Sequence, residues 1–152
     1  MADEDRPRSV TTEMQLRVTC PDQPGRMAAV LDLLRQEGGA LRAHLVLHMG
    51  TDIQGHFVCE RPAEAAAALQ AAGIAVETET IVLVRTENRW GAVSHLVRSL
   101  EEEGIRIAFT CATAWAPELC VVLRTDDNPK AEDVLRNYLV LPDAGAGETS
   151  GT

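Results

Sequence analysis

A strand-to-helix turn is encoded by the stretch Val18-Thr19-Cys20-Pro21-Asp22-Gln23-Pro24-Gly25-Arg26-Met27. Before the turn, residues 15–20 alternate between polar and apolar side chains, which is typical of a half-buried strand. After it, Met27, Val30, Leu31 and Leu34 recur at helical spacing. Pro24 suits the start of a helix and Gly38-Gly39 its end. The stretch therefore predicts a strand followed directly by a helix.

The next elements complete a six-element unit. Alternating residues from Leu41 to Met49, a turn around Gly50-Thr51-Asp52 and a second run through Phe57 and Cys59 predict a β-hairpin. An alanine-rich helix is expected to open at Pro62, to stop at Gly73 and to lead into a short strand. The predicted order is βαββαβ.

The same pattern begins again 66 residues further along the chain. This offset places Gly25 on Gly91, Val30 on Leu96, Leu34 on Leu100 and Gly38 on Gly104 without a gap. The pattern that predicts the last strand of the second unit is short, because only Leu139-Val140-Leu141 precedes Pro142. We expect its closing strand to be short, irregular or completed by a neighbouring chain.

The turn and its repeat carry a resemblance to a known family. Asp22-Gln23-Pro24-Gly25, followed by a helix that ends in Glu37-Gly38, resembles the opening of an ACT domain, whose first turn commonly reads D/N-x-P-G. The second copy, Glu87-Asn88-Arg89-Trp90-Gly91-Ala92, is similar but has Trp90 where proline is usual. The resemblance covers about residues 13–141 and implies an α+β fold of two tandem ferredoxin-like βαββαβ domains with antiparallel sheets.

The expected domain organisation follows from the repeat and from the composition of the two ends. We expect a disordered N-terminal tail at residues 1–12, a first ACT-like domain at 13–79 and a second at 80–142. Residues 143–152 are small and polar, so we expect a disordered C-terminal tail.

The resemblance implies a free-standing regulatory pair that binds an amino acid and signals its occupancy to a partner. The backbone amides at the start of a helix suit a carboxylate, and glycine permits a ligand to approach the backbone closely. Asp22 is placed to accept a hydrogen bond from an ammonium group. The alternative is that Asp22 and Asn88 only cap their helices. The candidate ligand-binding residues are Asp22, Gln23, Gly25, Arg26, Met27, Asn88, Trp90, Gly91, Ala92 and Arg106.

One departure from the family pattern concerns the strand after the first helix of each unit. ACT domains often carry an asparagine there that helps to hold the effector, whereas this chain has Ala40 and Arg106. Arg106 either replaces this asparagine by binding the effector carboxylate in a bidentate manner or is simply an exposed arginine.

Composition excludes several classes of function. The chain has 23 acidic and 14 basic residues, a net charge of −9, so we expect no nucleic acid and no membrane among its partners. It offers no enzyme motif, and we expect no catalytic residues, no cofactor and no enzymatic activity. Its four cysteines lack CxxC spacing and are expected to be buried thiols. The acidic N-terminus favours a cytoplasmic location.

The first hairpin carries three histidines, so a metal-binding protein is a third alternative. A hairpin that pivots on Asp52 would place His48 opposite His56 and His44 opposite Glu60, but the spacing allows only two ligands at each end, so we expect no metal site.

The expected partners are a small-molecule amino acid, a regulated enzyme or transcription factor, and a second copy of the chain. The homodimer is predicted from a helix-free sheet face of the second unit. That face consists of Ile81, Leu83, Ala108, Thr110, Ala112, Ala114, Cys120 and Val122. An interaction module that has kept the fold but lost its pocket remains an alternative.

Overall fold

Two units make up the part of the chain that the structure, a computed structural model, describes. That part is residues 9–140, apart from the side chains of Trp115, Leu139 and Val140. The first unit is Thr12–Ile81, and the second combines residues 9–11 with residues 82–140. None of the described helices is long and apolar enough to span a bilayer. The tails expected at residues 1–8 and 143–152 lie outside the described residues.

The elements follow the predicted order with one difference at the junction of the repeats, where the predicted closing strand of the first unit and the opening strand of the second form one continuous strand. They are β1 (Ser9–Pro21), α1 (Arg26–Leu33) continuing into a π-helical turn (Leu34–Gly38), β2 (Leu41–Met49), β3 (Asp52–Cys59), α2 (Pro62–Ala71), β4 (Ala75–Glu87), α3 (Ala92–Glu102), β5 (Ile107–Trp115), β6 (Glu118–Thr125) and α4 (Asn128–Val140). The hydrogen-bonded strand order is β2-β3-β1-β4 in the first unit and β1-β4-β6-β5 in the second. The predicted α+β class with tandem ferredoxin-like units is confirmed.

Each unit buries one apolar core between its helices and its sheet. In the first unit Val30 and Leu34 of α1 and its π-helical turn, and Leu69 of α2, pack against Leu16 and Phe57 of the sheet. In the second unit the corresponding cluster is formed by Leu96, Leu100, Ala131, Leu135, Val82, Val121 and Leu123. The helical periodicity predicted Val30, Leu34, Leu96 and Leu100 correctly, since each is almost fully buried, but it is wrong for Leu31, which is 37% exposed.

The N-terminal end of β1 completes the second unit. β1 begins at Ser9, so residues 9–12 form a strand and the expected tail is wrong there. Val10 is buried in the second core, and its carbonyl accepts from Arg136 of α4 at 3.3 Å. The expected closing strand at 139–141 is also wrong for its first two residues, because α4 continues to Val140.

A β-bulge at the same position of both units reverses part of the predicted sheet faces. The register shifts between Leu41 and Ala43 in β2 and between Ile107 and Phe109 in β5, positions that are 66 residues apart. A one-residue shift moves every later side chain to the opposite face. Ala112 therefore lies opposite Val121 of the second core, so the face proposed for dimerisation is wrong for the later residues of β5. Leu83 and Val122 of that face do lie opposite each other, as predicted.

The histidines of the first hairpin are likewise placed differently from the prediction. Met49 pairs with Asp52, so the hairpin has a two-residue turn at Gly50-Thr51. His44 consequently lies opposite Phe57 and His48 opposite Ile53, and the predicted histidine pairs do not form. No metal-binding group of three or more His, Cys, Asp or Glu side chains occurs among residues 9–140.

His56 and Gln15 are buried although both side chains are polar. Their side chains are only 5% and 1% exposed, and Gln15 Nε2 lies 3.3 Å from His56 Nδ1. Gln15 also donates to Glu79 at 3.2 Å, and His56 Nε2 lies 3.1 Å from the Gln54 side-chain oxygen. These four side chains therefore form an internally hydrogen-bonded network.

Candidate functional site

The turn between β1 and α1 is held by backbone hydrogen bonds. Gly25 precedes the helix with φ 83°, a conformation that glycine adopts readily. The Arg26 amide donates to the Gln23 carbonyl at 3.2 Å, and the Ala29 amide donates to the Gly25 carbonyl at 3.0 Å. The amides of Met27 and Ala28 lie within the first helical turn, where a helix supplies no acceptor of its own. These amides can therefore serve a bound anion.

Asp22 pairs with the neighbouring hairpin instead of capping the helix. Its carboxylate Oδ2 lies 3.3 Å from His48 Nδ1, and its amide donates to the Thr51 carbonyl at 3.1 Å. No side chain caps α1, so the helix-cap alternative for Asp22 is wrong. Asp22 is 46% exposed and His48 is 72% exposed, which leaves both accessible to a ligand.

The space around the first turn is open. No atom lies within 4 Å of the position that a Cβ would occupy at Gly25, so a ligand can approach the backbone there. Gln23 and Arg26 are exposed, whereas Met27 is partly buried against the first core. Asp22, Gly25 and Arg26 thus share the β1–α1 turn, and His48 of the neighbouring hairpin lies beside Asp22.

The equivalent turn of the second unit is more enclosed. Gly91 has φ 78°, and a Cβ at this position would lie 3.3 Å from the His95 ring. The Asn88 amide donates to the Pro117 carbonyl at 2.9 Å, which matches the bond from Asp22 to Thr51 at the 66-residue offset. No side chain caps α3, so Asn88 does not act as a helix cap either.

The remaining predicted residues of the second unit are spread apart. Trp90 is fully exposed, with a relative accessibility of 103%, and Ala92 packs against the second core. Arg106 lies beyond the C-terminal end of α3, which is about 16 Å long, so the structure does not place it beside Gly91. The Arg106 amide donates to Asp126 at 3.0 Å, and its side chain borders a separate cavity of about 460 Å³.

Of the four cysteines, only Cys20 lies next to the first turn. Cys20 and Cys59 are buried as predicted, whereas Cys111 and Cys120 are partly exposed, so that prediction is wrong for the second unit. Desolvation raises the pKa of the Cys59 thiol, and also that of Cys111. Neutral thiols of this kind are poor nucleophiles.

Sequence reasoning missed His48 as a partner of Asp22. β1 and β2 run in the same direction, since each is antiparallel to β3, so their C-terminal ends lie at the same end of the sheet. The β1–α1 turn and the β2–β3 turn therefore meet there. This topological signal was available once the βαββαβ order had been recognised.

Comparison with known proteins gives a family and a shared fold. A family model described as "ACT domain pair" matches residues 11–141. A Bacteroides thetaiotaomicron protein of known structure has 23% identity and a TM-score of 0.78, over 86% of this chain and 90% of its own. The ligand-free regulatory subunit of aspartate kinase from Thermus thermophilus has 19% identity and a TM-score of 0.61, over 84% and 95%. No curated protein matches the chain in sequence.

Proposed function

The chain belongs to the family of ACT domain pairs, and from this premise we propose that it is an amino-acid-responsive regulatory module rather than an enzyme. Its ligand is a free amino acid held at the β1–α1 turn of the first unit. Occupancy of that turn is passed to a regulated enzyme or transcription factor. We place this module in the cytoplasm.

The open first turn is the observation that carries this proposal. The α-carboxylate of the ligand is held by the amides of Met27 and Ala28 and by the guanidinium of Arg26. Its ammonium group is held by the Asp22 carboxylate, in competition with His48, which lies 3.3 Å from that carboxylate. The unobstructed space above Gly25 allows the ligand to reach the backbone. All of these groups come from residues 22–48 of a single unit.

The proposed assembly is a homodimer formed through a sheet edge. β2 is an edge strand of the first unit, and Arg42 is its only Asp, Glu, Lys or Arg residue. Val46 and Met49 are exposed along it, at 40% and 53%. An edge of nine residues with so little charge is a template for pairing with a second copy. Val46→Lys should therefore yield a monomer in sedimentation experiments, whereas Leu31→Lys, at an exposed position of α1, should remain a dimer. A dimer in both variants contradicts pairing through this edge.

A thermal-shift screen tests the proposal for the ligand. Each of the twenty amino acids is added separately at millimolar concentration to the full chain. A ligand that binds only the folded state raises the melting temperature in proportion to its occupancy. We expect one amino acid or a chemically related group to do so. If none does, the chain is better explained as an interaction module that kept the fold without the pocket.

A further inference from the structure

We infer that the first unit selects an amino acid with an aliphatic side chain, an inference that rests on the proposed function. The side chain of this ligand lies in a groove along α1, and one ligand binds per chain. The groove begins at Arg26, beside the proposed carboxylate site. It then follows α1 towards the π-helical turn. Its residues therefore meet the side chain of a ligand anchored at the turn.

The groove has the size and the lining of a small-molecule site. Its volume is about 570 Å³, within the usual range for ligand pockets. Its opposite wall is the connection from α2 to β4. The lining is mainly apolar and consists of Thr19, Cys20, Pro21, Arg26, Ala29, Val30, Asp32, Leu33, Gln36, Ala72, Gly73, Ile74 and Ala75. Burial of an aliphatic side chain against this wall is favourable because it removes apolar surface from water.

Two charged residues of the groove affect which charged ligand side chains can bind there. Among the described residues neither Arg26 nor Asp32 forms an ion pair, so both remain available to a ligand. Arg26 and Cys20 both line the groove, and the Arg26 guanidinium opposes the rise that burial causes in the pKa of the Cys20 thiol. The Asp32 carboxylate, which also lines the groove, repels an acidic side chain.

Among the described residues, the second unit has no counterpart of the groove wall formed by Ile74 and Ala75. In the first unit α2 ends at Ala71 and the chain turns at Gly73, φ 73°, to bring Ile74 and Ala75 to the wall. In the second unit α4 continues to Val140, so this connection has no counterpart among the described residues. At the 66-residue offset Arg26 is replaced by Ala92 and Asp32 by Arg98. A single site per chain follows.

Calorimetric titration of the full chain tests this inference. Leucine, isoleucine and valine are compared with alanine, lysine and glutamate. We expect one ligand per chain and at least ten-fold tighter binding of the best aliphatic amino acid than of alanine or glutamate. Tighter binding of lysine or glutamate, or two equivalent ligands per chain, overturns the inference.

A matched pair of helix variants separates this inference from the proposed function. Ala29→Leu fills the groove, whereas Ala67→Leu adds the same side chain to an exposed position of α2 that does not line it. Ala29→Leu should weaken binding at least ten-fold and Ala67→Leu should leave it unchanged. If both variants bind like the wild type, the groove is wrong while the turn stands. If no amino acid binds the wild type, the proposed function itself fails.

Discussion

Asp22 and His48 form a pair between two loops of the first unit, with Oδ2 and Nδ1 3.3 Å apart. Since this carboxylate is proposed to receive the ligand's ammonium group, Asp22→Asn should weaken binding by about 1 kcal/mol, or roughly five-fold, a modest value because the group is half exposed. Glu102→Gln, at the exposed end of α3, makes the same change in net charge and serves as the control. Equal affinities of the two variants in calorimetry would remove Asp22 from the site.

Gly25 and Gly104 offer a matched test of access to the backbone. Both have positive φ, 83° and 74°, and no atom lies within 4 Å of either Cβ position. Valine at either position should cost about 1–2 kcal/mol of unfolding free energy, because a side chain disfavours this backbone conformation. Only Gly25→Val should also abolish ligand binding. Urea unfolding and calorimetry measure the two effects, and intact binding by Gly25→Val would refute a role for the turn backbone.

The sequence allowed the element order, the tandem repeat and the helix-facing core to be predicted, because these depend on local periodicity. Residues such as Val30 and Leu96 are buried as their spacing indicates. The side-chain direction in β2 and β5 was not predictable by counting alternate residues, because the bulges near Arg42 and Ala108 insert one residue each. The pairing of Asp22 with His48 was missed for a related reason, since it depends on which strand ends share an edge.

Val10 links the N-terminal strand to the stability of the second unit. It is 5% exposed within the second core, so Val10→Ala should cost about 1–2 kcal/mol through lost burial and a small cavity. Hydrogen exchange should accelerate in β6 and α4. Met14→Ala, at a position that is 39% exposed on the same strand, should have a smaller effect. Unchanged exchange of β6 and α4 in Val10→Ala would show that residues 9–11 do not complete this unit.

The Cys59 thiol makes stability depend on pH in a defined direction. Burial raises its pKa above the ordinary value of 9.0, so the unfolded chain releases this proton first as pH rises. The stabilising contribution is therefore fully present below about pH 9 and is lost as pH rises further. Between about pH 7 and pH 10 the unfolding free energy of the wild type should fall more than that of Cys59→Ala. Identical falls in the two proteins would contradict a buried, protonated Cys59.

A crystal structure of the full chain with its preferred amino acid tests the central claim most directly. The account predicts one ligand per chain at the first turn, with its carboxylate within hydrogen-bonding distance of Arg26 and the Met27 amide. Its ammonium group should contact Asp22, and its side chain should lie against Ala29 and Ile74. A ligand found instead at the Asn88–Gly91 turn, or beside Arg106, would contradict the account.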